Sequence, residues 1–423
     1  MWKRVYRSEM ACLFNSMEAL YLRLMKLNLP TSLKPGPGVV ITGAFIGPGT
    51  VTLCLMAGVT SGVSLLWALL FSTFATILLQ DMVVRLALQS QQTLETLILR
   101  QIKNPVIQWM MALFIFFAII VGNSAYQSGN LAGTSLGISF IFPSWKMAWV
   151  SFFVALFCIL VLLTSNSKAF KNMLGIMVLA MSLSFLAMAV FFCPNAIPLI
   201  KGLLLPTLED GQLMLALGLV GTTVVPYNLF LHSSLVFNAP VADLPALRKE
   251  GAFSIFVGGL ISMAIVIVGN KALGMAINNA ADMAAVLQNA IGSWSLILLG
   301  IGLFAAGLSS ALTAPMAAGS VASGLWNCFF RPQNKVNAGI SVLVVMIGAY
   351  VAITQVNNLW VIKTAQVING LLLPVFISFI LWLLNDRSHM KSGRNTMLYN
   401  LGGFFVLLVS LALAIKTIIS LIS

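Results

Sequence analysis

Apolar residues fill the chain in long runs, and polar residues are confined to the short stretches between them. Reading off runs long enough to cross a hydrocarbon core of about 30 Å, at about 1.5 Å per residue, predicts eleven helices. They lie near residues 36–60, 63–88, 106–138, 146–165, 171–193, 211–237, 251–275, 293–325, 338–354, 359–384 and 396–421. The third and eighth runs exceed the length of a crossing, which predicts a re-entrant or extracellular stretch in each. Segment 1–35 is too polar to enter the bilayer, and its basic character without a following cleavage site argues against a removable signal peptide. Met25 precedes a short basic lead into the first run and is a candidate alternative start.

Composition agrees with a membrane protein. A hydrophobic fraction of 60% with 8% charged residues cannot clothe a water-soluble surface of 423 residues. The formal net charge of +13 comes with no nucleic-acid motif, so the lipid bilayer is the expected partner and nucleic acid is not. With the amino terminus placed in the cytoplasm, eighteen of the 23 basic residues fall on that side, among them Arg85, Arg100, Lys103, Arg248, Lys249, Arg331 and Lys335. The other five, Lys146, Lys201, Lys271, Lys363 and Lys416, fall on the opposite side. That positive-inside bias predicts a multi-pass protein of the cell membrane with its carboxyl terminus outside. The five cysteines, Cys12, Cys54, Cys158, Cys193 and Cys328, show no CxxC spacing and read as buried small hydrophobes.

Two runs carry interruptions at mid-membrane. The first holds Gly43 and then Ile46-Gly47-Pro48-Gly49-Thr50, and the sixth holds Gly218, Gly221 and Thr222-Thr223-Val224-Val225-Pro226-Tyr227-Asn228. A mid-helix proline removes a donor and frees a carbonyl, while glycine lets the backbone unwind. One such feature alone is as well explained by a packing kink. Two of them five spans apart predict an inverted repeat, because an odd number of crossings reverses the second copy, and such pairs mark the binding sites of secondary transporters.

The stretch from Gly36 to Gln80 resembles the first two spans of the Nramp divalent-metal transporters, whose first break reads Asp-Pro-Gly-Asn. Gly221–Val236, GTTVVPYNLFLHSSLV, is similar to that family's G-A-T-V-M-P-H-N-L-Y-L-H-S, and further likeness lies in Gly307–Gly324 and Ala365–Pro374. The resemblance implies an all-α membrane protein of the leucine-transporter-type fold, with spans 1–5 and 6–10 as inverted repeats, broken helices 1 and 6, and an eleventh helix. The expected organisation is a cytoplasmic segment 1–35, repeats over 36–196 and 211–386, and a final helix over 395–423.

The family's ligands, carried over residue by residue, are missing. Its first-break aspartate falls on Gly47 and the asparagine on Thr50, while the sixth-span methionine falls on Val225 and the carbonyl-bearing alanine on Thr222. The acids of its third-span proton route fall on Asn123 and Tyr126, and its first sixth-span histidine on Tyr227. His232, at the second histidine position, is the one intramembrane histidine; it is read either as a titrating group or as a neutral imidazole tied between helices. Of the ten carboxylates none is placed at the middle of a span, and Asp81 is expected to pair with Arg85 one turn on.

The remaining site is polar and uncharged. Its expected substrate-binding residues are Gly47, Gly49, Thr50, Thr222, Val225, Asn228 and Gln366, with Thr223 beside them; His232, Tyr227, Asn123 and Tyr126 have a proton or gating role. A stripped divalent ion needs charge or several hard oxygens to offset its desolvation. The leading expectation is therefore a secondary transporter of a small carboxylate or amino-acid-like solute, bound partly through amides at a half-helix amino terminus. Its alternative is family-typical transport of manganese, iron or magnesium, with possible proton coupling. An enzyme is not expected: there is no paired carboxylate, Ser/His/Asp set or GxxxxGK[ST] loop. No cofactor is expected, and the chain is expected to act as a monomer.

Overall fold

The computed structural model describes residues 36–164, 167–209, 211–275, 294–333, 335–354, 358–386 and 394–422, with residues 288, 292 and 390 besides. Segment 1–35, with Cys12, Met25, Glu9 and Glu18, lies outside the described residues, as do Asp210 and Asp282. Ten helices among the described residues are long and apolar enough to cross a membrane, and a bent pair makes an eleventh span.

The bent pair is α1 (Pro37–Phe45) and α2 (Pro48–Ser61), set at 54° to one another. There follow α3 (Leu66–Ser90), the short α4 (Leu94–Gln101), and α5 (Pro105–Ile141), which contains a π-helical stretch at Phe116–Val121. Next come α6 (Met147–Thr164), α7 (Ser167–Phe191) and the short α8 (Ala196–Leu204). The sixth span is α9 (Leu213–Thr223) and α10 (Pro226–Val236), and α11 (Leu244–Asn270) is the seventh. The chain closes with α12 (Trp294–Phe329), α13 (Lys335–Ile353), α14 (Asn358–Asn385) and α15 (Met397–Ile422). Of the re-entrant or extracellular stretches expected in the third and eighth spans, the re-entrant form is absent: α5 and α12 are continuous helices of 37 and 36 residues. Two helices escape a search for long apolar runs, α4 and α8, at 8 and 9 residues.

Contacts at the two ends of the bundle fix the parity of the spans. At one end Arg248 meets Asp81, Arg85 Nη2 donates to Asn395 Oδ1 at 2.7 Å, and the amides of Gly38 and Val39 donate to Glu250. This gathers the start of the first span, the end of the second and the starts of the seventh and eleventh. At the other end Trp67 Nε1 donates to the Thr207 carbonyl at 3.2 Å, and Gly274 N donates to the Val59 carbonyl at 2.9 Å. Both sets agree with crossings that alternate in direction. The predicted Asp81–Arg85 pair is present at 3.2 Å, with Arg248 as a second partner that sequence spacing does not reveal. Cys54 and Cys158 are buried as expected, but Cys193 is exposed, because it follows the last turn of α7.

α4 lies on the basic end with Glu95 buried. The Thr93 hydroxyl donates to Glu95 Oε1 at 2.6 Å, and Oε2 has no partner among the described residues. Burial pushes this carboxyl from its ordinary 4.5 up to about 7, against the opposing effect of the Thr93 bond. The folded state therefore binds the proton more tightly than the unfolded chain. Stability contributed by the protonated form is complete below about 4.5, declines as pH rises, and is lost above about 7, a span of about 3 kcal/mol. Thermal melts of the detergent-solubilised protein should fall between about pH 5 and pH 8, and Glu95→Gln should flatten that decline. An unchanged slope in the variant would assign the dependence elsewhere.

Candidate functional site

The first break follows from the order of its residues. Pro48 has no N–H, so the Ala44 carbonyl four residues back has no helical donor, and proline suits the first position of α2. Ile46 and Gly47 are non-helical, Gly47 being extended at φ −104°, ψ −179°. The carbonyls of Gly43, Ala44 and Phe45 are thus released at the carboxyl end of α1, where the helix dipole is negative. Hydroxyls from three other elements take them up. Ser310 Oγ on α12 donates to Gly43 O and Ala44 O at 3.1 and 3.2 Å, and Tyr227 OH on α10 donates to Ala44 O at 2.7 Å. Thr50 Oγ1 donates to Phe45 O.

The second break repeats the logic at Val224 and Val225, with Pro226 at the first position of α10. The Thr223 carbonyl accepts from Thr76 Oγ1 on α3 at 3.3 Å. The two breaks touch through Thr50 Oγ1 and Thr222 Oγ1, 2.7 Å apart. Since Thr50 gives its proton to Phe45 O, Thr222 is the donor in that contact and keeps its lone pairs outward. Gly47 N–H points to Thr50 Oγ1 at a long 3.4 Å, so this amide serves the local turn. Thr50, Thr222, Thr223, Val225 and Asn228 are all buried. Asn228 sits in the first turn of α10, and neither polar atom of its amide has a partner among the described residues. A buried amide without partners is costly, so this side chain is set up to receive something.

A second polar group lies against the same break. Tyr126 OH on α5 donates to Gln366 Oε1 on α14 at 2.6 Å and accepts from Asn369 Nδ2. The Tyr126 and Tyr227 rings meet edge to face at 6.0 Å. The structure thus brings Thr50, Thr222, Tyr227, Tyr126 and Gln366 into one connected set, with Gly47 and Val225 in the breaks themselves and Gly49 in the first turn of α2. Asn123 stands apart: its Nδ2 donates to the Ala314 carbonyl at 2.9 Å and ties α5 to α12. His232 is buried, its Nδ1 2.9 Å from Gln80 Oε1, and Nε2 has no partner among the described residues.

Sequence reasoning missed Ser310, Asn369 and Glu250. Ser310 lies in a stripe of small residues that reads as helix packing, whereas Asn369 follows Gln366 by three positions on one helical face and was findable. Glu250 is buried in the second turn of α11, where its carboxylate accepts from Gly38 N at 3.0 Å and Val39 N at 3.2 Å, capping α1. No carboxylate stands at either break, and no group of three or more His, Cys, Asp or Glu side chains able to hold a metal occurs among the described residues.

Known proteins place this architecture. The family profile described as natural resistance-associated macrophage protein-like matches residues 38–420. The divalent metal cation transporter MntH of Yersinia pestis (strain Pestoides F) is 26% identical over 315 residues, covering 72% of this chain and 74% of that protein. Among solved structures, the Eremococcus coleocola manganese transporter in complex with an aromatic bis-isothiourea substituted compound aligns with a TM-score of 0.76 at 18% identity, over 92% of this chain and 87% of that one. MhsT in complex with L-phenylalanine aligns with a TM-score of 0.64 at 14% identity, over 92% and 98%. At those identities the structural matches establish the fold: all-helical and of the leucine-transporter type, with broken first and sixth spans. The profile spans nearly the whole chain, and the chain belongs to the Nramp family of multi-pass membrane transporters.

Proposed function

We propose that the chain is a secondary transporter that carries a divalent cation by alternating access, holding it through neutral oxygens with part of its hydration shell retained. The observation that carries this reading is the acceptor-rich junction at the first break. Three released carbonyls lie there at the negative end of α1, beside the Thr50–Thr222 contact of the two breaks, and the unpartnered Asn228 amide stands in the first turn after the second break. Hard cations take oxygen ligands, and an ion that sheds water reluctantly suits a site without a carboxylate. The relatives named as divalent metal cation transporters support the same cargo. Gln366 and Tyr126 would border the ion's path, and Tyr227 would report its presence to α1 through Ala44. The basic end of the bundle is read as cytoplasmic by the positive-inside bias.

A second reading, a small carboxylate or amino-acid-like solute, is favoured by Gly47 standing where the family carries its acid. Uptake by the protein in liposomes decides between them. The first reading expects saturable entry of manganese or magnesium, and the second expects saturable entry of amino or organic acids with neither metal carried.

Restoring the family's ligands gives a further test. A Cβ on Gly47 would stand 2.8 Å from Ser310 Oγ and 3.2 Å from Ser310 Cβ. Gly47→Asp with Thr50→Asn and Val225→Met should therefore fit only when Ser310→Gly is added. Calorimetry should show manganese bound at least about tenfold more tightly by that four-site variant than by the parent, the effect of one charge-assisted contact. Equal affinity would mean that the divergence extends beyond these positions.

A further inference from the structure

Away from the breaks, a cavity of about 660 Å³ lies between α3, α11 and α15 at the basic end of the bundle. Its lining is ordered by depth. Towards the membrane interior the walls are Phe74 and Ile77 of α3 and Ile255 of α11; towards the basic end they become Asp81, Arg248, Lys249 and Tyr399. Phe74 and Leu398 are 61% and 77% exposed, so the groove opens sideways into the hydrocarbon. An apolar slot beneath a polar mouth has the shape of an amphiphile with its head at the interface.

The mouth is cationic. Asp81 is paired with both Arg85 and Arg248, and Lys249 adds a further positive charge beside them. Behind the lining, the Arg85 guanidinium stacks over the Tyr399 ring at 4.2 Å, which fixes that ring in the cavity wall. The third feature is His232, which also lines the cavity, 1% exposed and with Nε2 unpartnered among the described residues. Because Nδ1 faces the Gln80 carbonyl oxygen at 2.9 Å, Nδ1 carries the proton and Nε2 presents a lone pair. The occupant must therefore bring an anion for the basic rim, a hydroxyl donor for Nε2, and an acyl chain for the slot.

We propose that this groove binds one anionic phospholipid whose headgroup bears a hydroxyl, phosphatidylglycerol being the simplest example. The site is separate from the junction of the broken helices and uses side chains that the transport reading leaves idle.

Native mass spectrometry of the delipidated full-length protein tests it, with phosphatidylglycerol, phosphatidylcholine and phosphatidylmethanol titrated in turn. One equivalent of phosphatidylglycerol should be retained at least about fivefold more strongly than phosphatidylcholine, the size expected for one basic residue near an anionic head. Lys249→Gln should lower that preference by about fivefold, and Ala252→Phe, which fills the groove wall, should remove the first equivalent. Lys335→Gln, on the same end but outside the groove, should change nothing. His232→Ala should equalise phosphatidylglycerol with phosphatidylmethanol, which has the charge without the hydroxyl. Equal retention of anionic and zwitterionic lipid by the parent would overturn the proposal, as would a preference that survives both Lys249→Gln and Ala252→Phe.

Discussion

Gly221→Ala should cost the protein at least about 3 kcal/mol, the upper end of the range for overpacking, and strip most of the folded material from a detergent preparation. Gly221 lies in α9 three residues before Val224, where the second break begins, and α14 crosses it there with its backbone. An added Cβ collides with the Gln366 carbonyl oxygen and stands 2.8 Å from Gly370 N. Neither obstacle is a side chain that can rotate away, so the two helices must separate. That separation would also pull Gln366 from Tyr126, whose hydroxyl it accepts. Gly122→Ala is the matched control. A Cβ there has nothing within 4 Å, and alanine is the better helix former, so a neutral effect or a gain of up to about 1 kcal/mol is expected. Thermal melts of the two variants measure the contrast; similar melting temperatures would refute the close crossing of α9 and α14.

Thr50→Val should reduce uptake of whatever cargo the liposome assay identifies by at least about tenfold, whereas Thr50→Ser should retain most of it. The Thr50 hydroxyl donates to Phe45 O and accepts from Thr222 and Gly47 N–H, so one oxygen joins both halves of the first span to the second break. Valine keeps the shape but leaves the Phe45 carbonyl and the Gly47 amide unpaired, at about 1–3 kcal/mol each. About 1.4 kcal/mol corresponds to a factor of ten. Thr222→Val removes only one donor from the same cluster and should cost a few-fold. If valine at position 50 transports as well as serine does, the junction is packing and the cargo passes elsewhere.

Both breaks were legible in the sequence because glycine and proline act on the backbone locally. Pro48 and Pro226 each deny a helical donor to one identifiable carbonyl, and no tertiary information is needed to see it. The alternation of span directions was likewise legible from the uneven placement of lysine and arginine. What receives the freed carbonyls was not legible. Ser310 approaches from 266 residues beyond Ala44, in a run of small residues whose packing role hides a hydroxyl donor. Glu250 reads as one more charge at a membrane edge, and only the folded chain shows that its carboxylate faces the first turn of α1. The short helices α4 and α8 were lost for a different reason: they lie alongside the bundle and never produce a run of crossing length. Nor does the sequence show that the Gly47 amide, one of those expected to meet an anionic group, has Thr50 Oγ1 three residues on as a local acceptor.

The Glu250 carboxylate, carried by α11, has a mechanical consequence for α1. α1 is a nine-residue rod of about 13 Å, jointed at Ile46–Gly47 and fastened at its far tip by Glu250. Its other end is held as well, by Ser310 and Tyr227 on the Gly43 and Ala44 carbonyls. A shift of α11 would therefore carry the tip of α1 with it, through that carboxylate and the Gly38 and Val39 amides.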